Sequence, residues 1–261
     1  MSDIKVAMVT GAAQGIGRGI ALKLAADGFD IAVADMAFQE EKGRGVVAEI
    51  EALGRKAIFV SADVSKREEV AAAVDKAAAE LGSFDVMVNN AGIVGQVAPI
   101  AEITEESMQK VFAVNVNSVL WGIQAAAAKF IELGKKGRII SAASIAAIKG
   151  FPILAPYTAS KFAVRGITQV ASQELAVHGI TVNAYAPGIV GTSLWEDLDK
   201  KLAAITGKPV GQNLKENVDS ISLGRIETPE DVAGVVSFFA SPNAEYVTGQ
   251  VLLVDGGMLY N

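Results

Sequence analysis

The 261 residues are 51% hydrophobic and 20% charged, enough to bury a substantial core and far from the composition of a disordered chain. A formal net charge of −6, with no basic cluster except "LGKKGR" (Leu133 to Arg138), which reads as a helix end and a turn, sets nucleic acid aside as a partner. Zero cysteines and one histidine, His178, leave no material for disulfides, thiolate nucleophiles, Ser/His/Asp triads or sulfur-held and multi-histidine metal sites, so no metal is expected.

The N-terminal "MSDIKVAMVTG" carries Asp3 and runs into a strand pattern without the basic, apolar and small-residue regions of a secretory leader. Asn, Gln and Lys interrupt even "VFAVNVNSVLWGIQAAAAKF", so no membrane span is expected and a cytoplasmic location follows.

In chain order, short β-branched runs alternate with amphipathic stretches: "KVAMVT" and a helix from Ile16, "DIAVAD" and a helix through Val47, "AIFVSAD" and Glu68 to Leu81, "FDVMVNN" and Thr104 to Leu133. The second half continues with "GRIISAAS", a helix from Tyr157 to about His178, "ITVNAYAPG", a helix from Asp231 to about Ala240, and "GQVLLVDGG". Ser65 with Glu68 reads as a capping box, and Thr228, Pro229 and Asp231 as an N-cap, a first-turn proline and an early acid. His178, in the last turn before Gly179, reads as a helix-end residue that complements the dipole.

Strands apolar on both faces and separated by helices predict a doubly wound α/β fold, a seven-stranded parallel sheet covered by helices on both sides, in one domain over residues 1–261. The stretch from Gly191 to about Leu223 breaks the rhythm with a charged helix, a Gly-Lys-Pro turn and no strand. Its place just after a strand end predicts a substrate lid at about residues 190–223.

After the first strand, "TGAAQGIG" sets Gly11, Gly15 and Gly17 before a helix, a pattern that allows a tight turn, close backbone approach to a pyrophosphate and unpaired N–H groups facing it. The second strand ends at Asp35, eighteen residues beyond Gly17, where a carboxylate can accept hydrogen bonds from an adenosine ribose and repel a 2′-phosphate. Neither Gln14 nor Met36 offers a cation, so NAD(H) is expected over NADP(H). Further on, "YTASK" puts the Tyr157 phenol and the Lys161 ammonium one helical turn apart on one face.

"TGAAQGIG", "DV" (Asp63, Val64), "NNAG" (Asn89 to Gly92), Asn115, Ser144, "YTASK" and "PG" (Pro187, Gly188) together resemble, along the whole chain, the short-chain dehydrogenase/reductase family and its Rossmann fold. The resemblance implies Tyr157 as general acid/base and Lys161 as the cation that lowers its pKa and holds the nicotinamide ribose. It implies Ser144 as hydrogen-bond donor to the substrate oxygen, and Asn115, with Asn117 as the alternative, in a water-linked proton path. Lowering a phenol by about three units takes roughly 4 kcal/mol, within reach of two close positive charges. The same resemblance implies cofactor contacts at Gln14, Ile16, Asp63, Val64, Asn89, Ala91, Gly92, Tyr157, Lys161, Pro187, Gly188, Val190 and Thr192, besides the glycines and Asp35.

A narrower resemblance, carried by "SIAAIKGFPILAPYTASKFAVRGITQ", "NAYAPGIVGTSLW" and "VTGQVLLVDGGMLYN", is to the acetoin (diacetyl) reductases, also called 2,3-butanediol dehydrogenases, and within them to the L-(2S,3S) branch. It implies reversible NADH-dependent reduction of diacetyl to (S)-acetoin and of acetoin to butanediol. The small-molecule ketone or alcohol would sit against Ser144, Ile145, Phe151, Tyr157 and Trp195. A meso-butanediol dehydrogenase, a polyol or sugar-alcohol dehydrogenase, a 3-oxoacyl reductase and a non-catalytic NAD(H) sensor stand as the alternatives. Alanine-rich faces from about Ser118 to Leu133 and from Tyr157 to His178 permit close helix packing, and the family's usual assembly implies a homotetramer.

Overall fold

The computed structural model describes residues 5–260, so Asp3 lies outside the described residues. The chain alternates as the apolar runs dictate: β1 (Lys5–Thr10), α1 (Gly15–Ala26), β2 (Phe29–Asp35), α2 (Glu40–Ala52), β3 (Ala57–Ser61), α3 (Arg67–Leu81), β4 (Val86–Asn89), α4 (Glu105–Phe112) and α5 (Ser118–Glu132). It continues with β5 (Arg138–Ala142), α6 (Ala155–Leu175), β6 (Thr181–Pro187), α7 (Ser193–Thr206), α8 (Gln212–Val218), α9 (Pro229–Ala240) and β7 (Val251–Val254). All strand pairs are parallel, in the order β3-β2-β1-β4-β5-β6-β7. The order reverses between β1 and β4, which opens a crevice at their carboxyl ends.

Alternation along each strand feeds two cores. In β1, Val6 and Met8 face a layer with Phe84, Phe130 and Val164 under α3, α5 and α6, while Ala7 and Val9 face Ile20, Ile50 and Phe239 under α1, α2 and α9. Burying each such large side chain contributes about 1.5–3 kcal/mol, so the sheet is a rigid platform for whatever its strand ends carry.

Three local expectations change. Thr104 to Leu133 is not one regular helix: a π turn at Ala113–Asn117 separates α4 from α5 and turns Asn115 inward. The whole of Glu105–Glu132 has the length and mean hydropathy, 1.4, of a membrane span, but half of that apolar window is packed inside the fold. The Ser65–Glu68 capping box does not form, because the Ser65 hydroxyl donates to the Asp63 carboxylate at 2.7 Å, a stronger local acceptor, and α3 starts at Arg67. The Thr228–Asp231 box on α9 forms as expected, with Pro229 in the first turn, and α6 closes through Ala176–His178 onto Gly179 at φ +69°. The excursion after β6 holds two helices, α7 and a short α8 that the sequence pattern did not separate.

Candidate active site

The glycine loop is built for close backbone approach. Gly11 (φ +63°) and Gly15 (φ +56°) adopt left-handed conformations, and a Cβ on Gly17 would lie 2.2 Å from Gly11 O, so no side chain fits there. α1 opens directly behind, with no side-chain cap on its first N–H groups. At the end of β2, Asp35 Oδ2 accepts from Ala13 N–H (2.9 Å) and Oδ1 from Met36 N–H (2.8 Å), which aims its carboxylate at the glycine loop. Asp63 accepts from Ser65 N–H and hydroxyl, and the Ser65 hydroxyl holds the carboxyl below its usual range.

These groups line a cleft of about 620 Å³ that includes Gly11, Gln14, Gly15, Ile16, Gly17, Asp35, Asp63, Val64, Ala91, Gly92 and Thr192. It leads to an inner chamber of about 110 Å³ where Tyr157, Lys161, Pro187, Gly188 and Val190 join Ile16, Gly92 and Thr192. Beyond Tyr157 lies an apolar pocket of about 340 Å³ with Ile145, Phe151, Ile153, Leu194, Trp195 and Leu198 in its wall. Ser144, Tyr157, Gly188, Leu194 and Trp195 belong to both chamber and pocket, so they stand at the junction.

α6 places Tyr157 and Lys161 on one face, with the ammonium 5.5 Å from the phenol ring centroid. Lys161 is buried and donates to Ala142 O at 2.8 Å, one of the three donors an ammonium carries, which leaves others for a ligand hydroxyl. Burial pushes Lys161 down to about 8. Burial raises the Tyr157 phenol, and the Ser144 hydroxyl beside it pulls part of the way back. Ser144 is held at the start of the Ile145–Ala147 turn, accepting from Ala146 N–H at 3.2 Å.

Asn115 is buried and anchored on three sides: Oδ1 accepts from Ile93 N–H (2.9 Å), and Nδ2 donates to Ile93 O (2.8 Å) and Ser160 Oγ (3.0 Å). Gly92 lies against both Asn115 and Lys161, since a Cβ there would be 3.4 Å from Asn115 Oδ1 and 3.7 Å from Lys161 Nζ. Asn117 is exposed, so geometry favours Asn115 of the two.

Residues 5–203 match the short chain dehydrogenase family. The chain belongs to that family. It is 63% identical over 257 residues to the L-2,3-butanediol dehydrogenase of Corynebacterium glutamicum, covering 98% of this chain and 99% of the relative. It is 50% identical over 260 residues to a Staphylococcus aureus diacetyl reductase [(S)-acetoin forming], covering both chains in full. The crystal structure of levodione reductase superposes with a TM-score of 0.90 at 30% identity, covering 98% of each chain. As a member of the short-chain dehydrogenases, the protein is an oxidoreductase acting on a CH–OH/C=O couple, in a family that uses a nicotinamide dinucleotide. The glycine cradle, the open end of α1 and the free donors of Lys161 fit such a cofactor.

Asn89, one of the residues expected to touch the cofactor, is not in the lining of the cleft or chamber. Asn89 points into the core, where Nδ2 donates to Ser141 Oγ and Oδ1 fills the space a Cβ on Gly122 would need. Strand alternation turns the next residue the other way: Asn90 lines the cleft, with Nδ2 donating to Thr10 O (2.8 Å) and Gly11 O (3.2 Å) and Oδ1 accepting from Tyr185 OH (2.8 Å). Tyr185 escaped the sequence reading, although a tyrosine in an otherwise apolar strand requires a partner for its hydroxyl. The cation missing from Gln14 and Met36 also has a neighbour, for Lys42 on α2 donates to Gln14 Oε1 at 2.9 Å.

Proposed function

We propose that the protein catalyses the NADH-dependent, reversible reduction of diacetyl to (S)-acetoin and of acetoin to 2,3-butanediol, in the L-(2S,3S) form. The observation that carries this reading is the junction itself: Ser144 and Tyr157 stand between a polar chamber and an apolar pocket walled by Ile145, Phe151 and Trp195. A four-carbon vicinal diketone needs hydrogen bonds only at its oxygens, whereas the further hydroxyls of a polyol would face this wall without partners. The names of the two similar enzymes support the same substrate class. Residues 190–223 act as the lid, with Leu194, Trp195 and Leu198 closing over the substrate.

In reduction, the Ser144 hydroxyl donates to the carbonyl oxygen and Tyr157 delivers the proton as that oxygen gains charge; in oxidation Tyr157 takes the proton of the alcohol. A bound nicotinamide supplies the hydride in one direction and accepts it in the other. Lys161 holds a ribose hydroxyl and steadies the phenolate, while Asn115 fixes the strand-end loop at Ile93 and α6 at Ser160 and carries the water-linked proton path. Asp35, with both oxygens oriented by backbone N–H groups, accepts from the adenosine ribose and repels a 2′-phosphate, which favours NADH. The working form in this reading is a cytoplasmic homotetramer, placed where the nicotinamide pool lies.

The test is NADH oxidation with diacetyl and with racemic acetoin, NADPH as control, and the diol resolved on a chiral column. NADH-dependent turnover giving mainly the (S,S) diol is expected. A meso product overturns the branch, and turnover confined to polyols overturns the substrate class. Tyr157→Phe should lower turnover by about 10²- to 10⁴-fold with NADH binding, read by fluorescence, little changed.

A further inference from the structure

The four residues before α6 form a tight turn that leads straight into the helix bearing Tyr157. Leu154 N–H donates to Phe151 O at 3.3 Å, Pro152 occupies the second position, and Ile153 in the third has φ +61°. Those are the marks of a type II turn, whose third position calls for glycine or asparagine because a Cβ collides with the backbone when φ is positive. A β-branched side chain tolerates that region worst of all, and Ile153 is the one non-glycine residue with positive φ among the described residues.

Two contacts hold the strained residue in place. Its carbonyl accepts from Ala98 N–H at 3.1 Å, tying the turn to the loop after β4, and the residue lines the pocket shared with Ser144, Tyr157 and Trp195. Glycine would suit the turn better, so what isoleucine adds at this position is bulk in the pocket wall.

We propose that Ile153 is a specificity-determining residue: the left-handed turn presents its branched side chain as the wall that limits how long a carbonyl substrate can be. The proposal rests on the reduction of vicinal diketones set out above and adds the element that measures their length. A strained turn of this kind is kept where geometry matters more than local stability.

Three full-length variants separate strain from bulk. Ile153→Gly and Ile153→Ala remove the same wall, but only glycine relieves the backbone, so the glycine variant should melt about 2–4 °C above the alanine one, reversing their usual order. Both should raise the ratio of kcat/KM for 2,3-hexanedione over diacetyl by about tenfold or more, while Ile153→Val, which keeps branch and strain, should hold that ratio within about threefold of wild type. An alanine variant as stable as the glycine one overturns the strained turn, and an unchanged ratio in both overturns the wall. Should the wild-type enzyme reduce no vicinal diketone, the substrate reading falls by itself. The length ratio is then read on a homologous series of whichever ketone it does reduce, and the melting order is read regardless.

Discussion

The carboxyl of Glu227 lies beneath the turn that joins the chamber to the pocket. Its Oε2 accepts from Gly188 N–H at 2.9 Å, its backbone pairs with Ile189 and Gly191, and its buried Oε1 has no partner among the described residues. Burial pushes its pKa up to about 8; nearby Asp231 and Asp255 add to the rise, and the Gly188 N–H and Arg225 oppose it. Between its ordinary 4.5 and about 8 the unfolded chain gives up this proton while the folded protein keeps it, so stability falls as pH rises through that window. Glu227→Gln has no proton to lose, and its melting temperature should gain on wild type steadily from about pH 5 to pH 8; a constant offset would sink the assignment. For Asp35, replacement by alanine should erase most of the proposed NADH-over-NADPH preference in kcat/KM, with Lys42, which donates to Gln14 Oε1, as a cation near the glycine loop. At this scale Asp35 and the Tyr157–Lys161 pair stood out in the sequence by their spacing, and Ser144 by the family resemblance. Asn90, Tyr185 and Glu227 did not: their roles depend on which way a strand-end side chain turns and on what lies across the sheet.

Helix α9 shows an element whose stability is concentrated at one end. Thr228 Oγ1 accepts from Asp231 N–H, Asp231 Oδ2 accepts from Thr228 N–H at 2.8 Å, and Arg225 pairs with the same carboxylate, holding it far below the usual range. Thr228→Ala should cost about 1 kcal/mol, a fall of roughly 2–4 °C in calorimetry, with kcat unaffected because the cap touches no substrate group. Elements of this kind were legible because cap, proline and acid are local signals. The strands were legible too, being apolar on both faces. The π turn at Ala113–Asn117 was not, because one extra residue in a helix leaves the apolar period on either side intact. Nor was the failure of Ser65 to cap, which depends on a competing carboxylate two residues earlier.

For the whole molecule, the proposed tetramer has physical support at two surfaces. Phe162 and Val170 on α6 are 43% and 54% exposed, and β7, at the edge of the sheet, leaves Leu252 42% exposed beside an unpaired strand edge. Apolar side chains along a helix face and a bare edge are surfaces that oligomers cover. Light scattering at micromolar concentration should give four times the monomer mass, and a monomer would refute the assembly.

The knot of hydrogen bonds around Asn90 bears on how the enzyme comes into being. It joins Thr10, the last residue of the first strand, and Gly11 just after it to Tyr185 from the sixth, segments that leave the ribosome far apart in time. The turn of the glycine loop is local, but its tie to Asn90 spans some 80 residues, and the chamber that Tyr185 lines waits for the last third of the chain to dock. In refolding, helical signal and core burial should return before catalytic competence, which makes the first turnover a marker of completed assembly rather than of collapse.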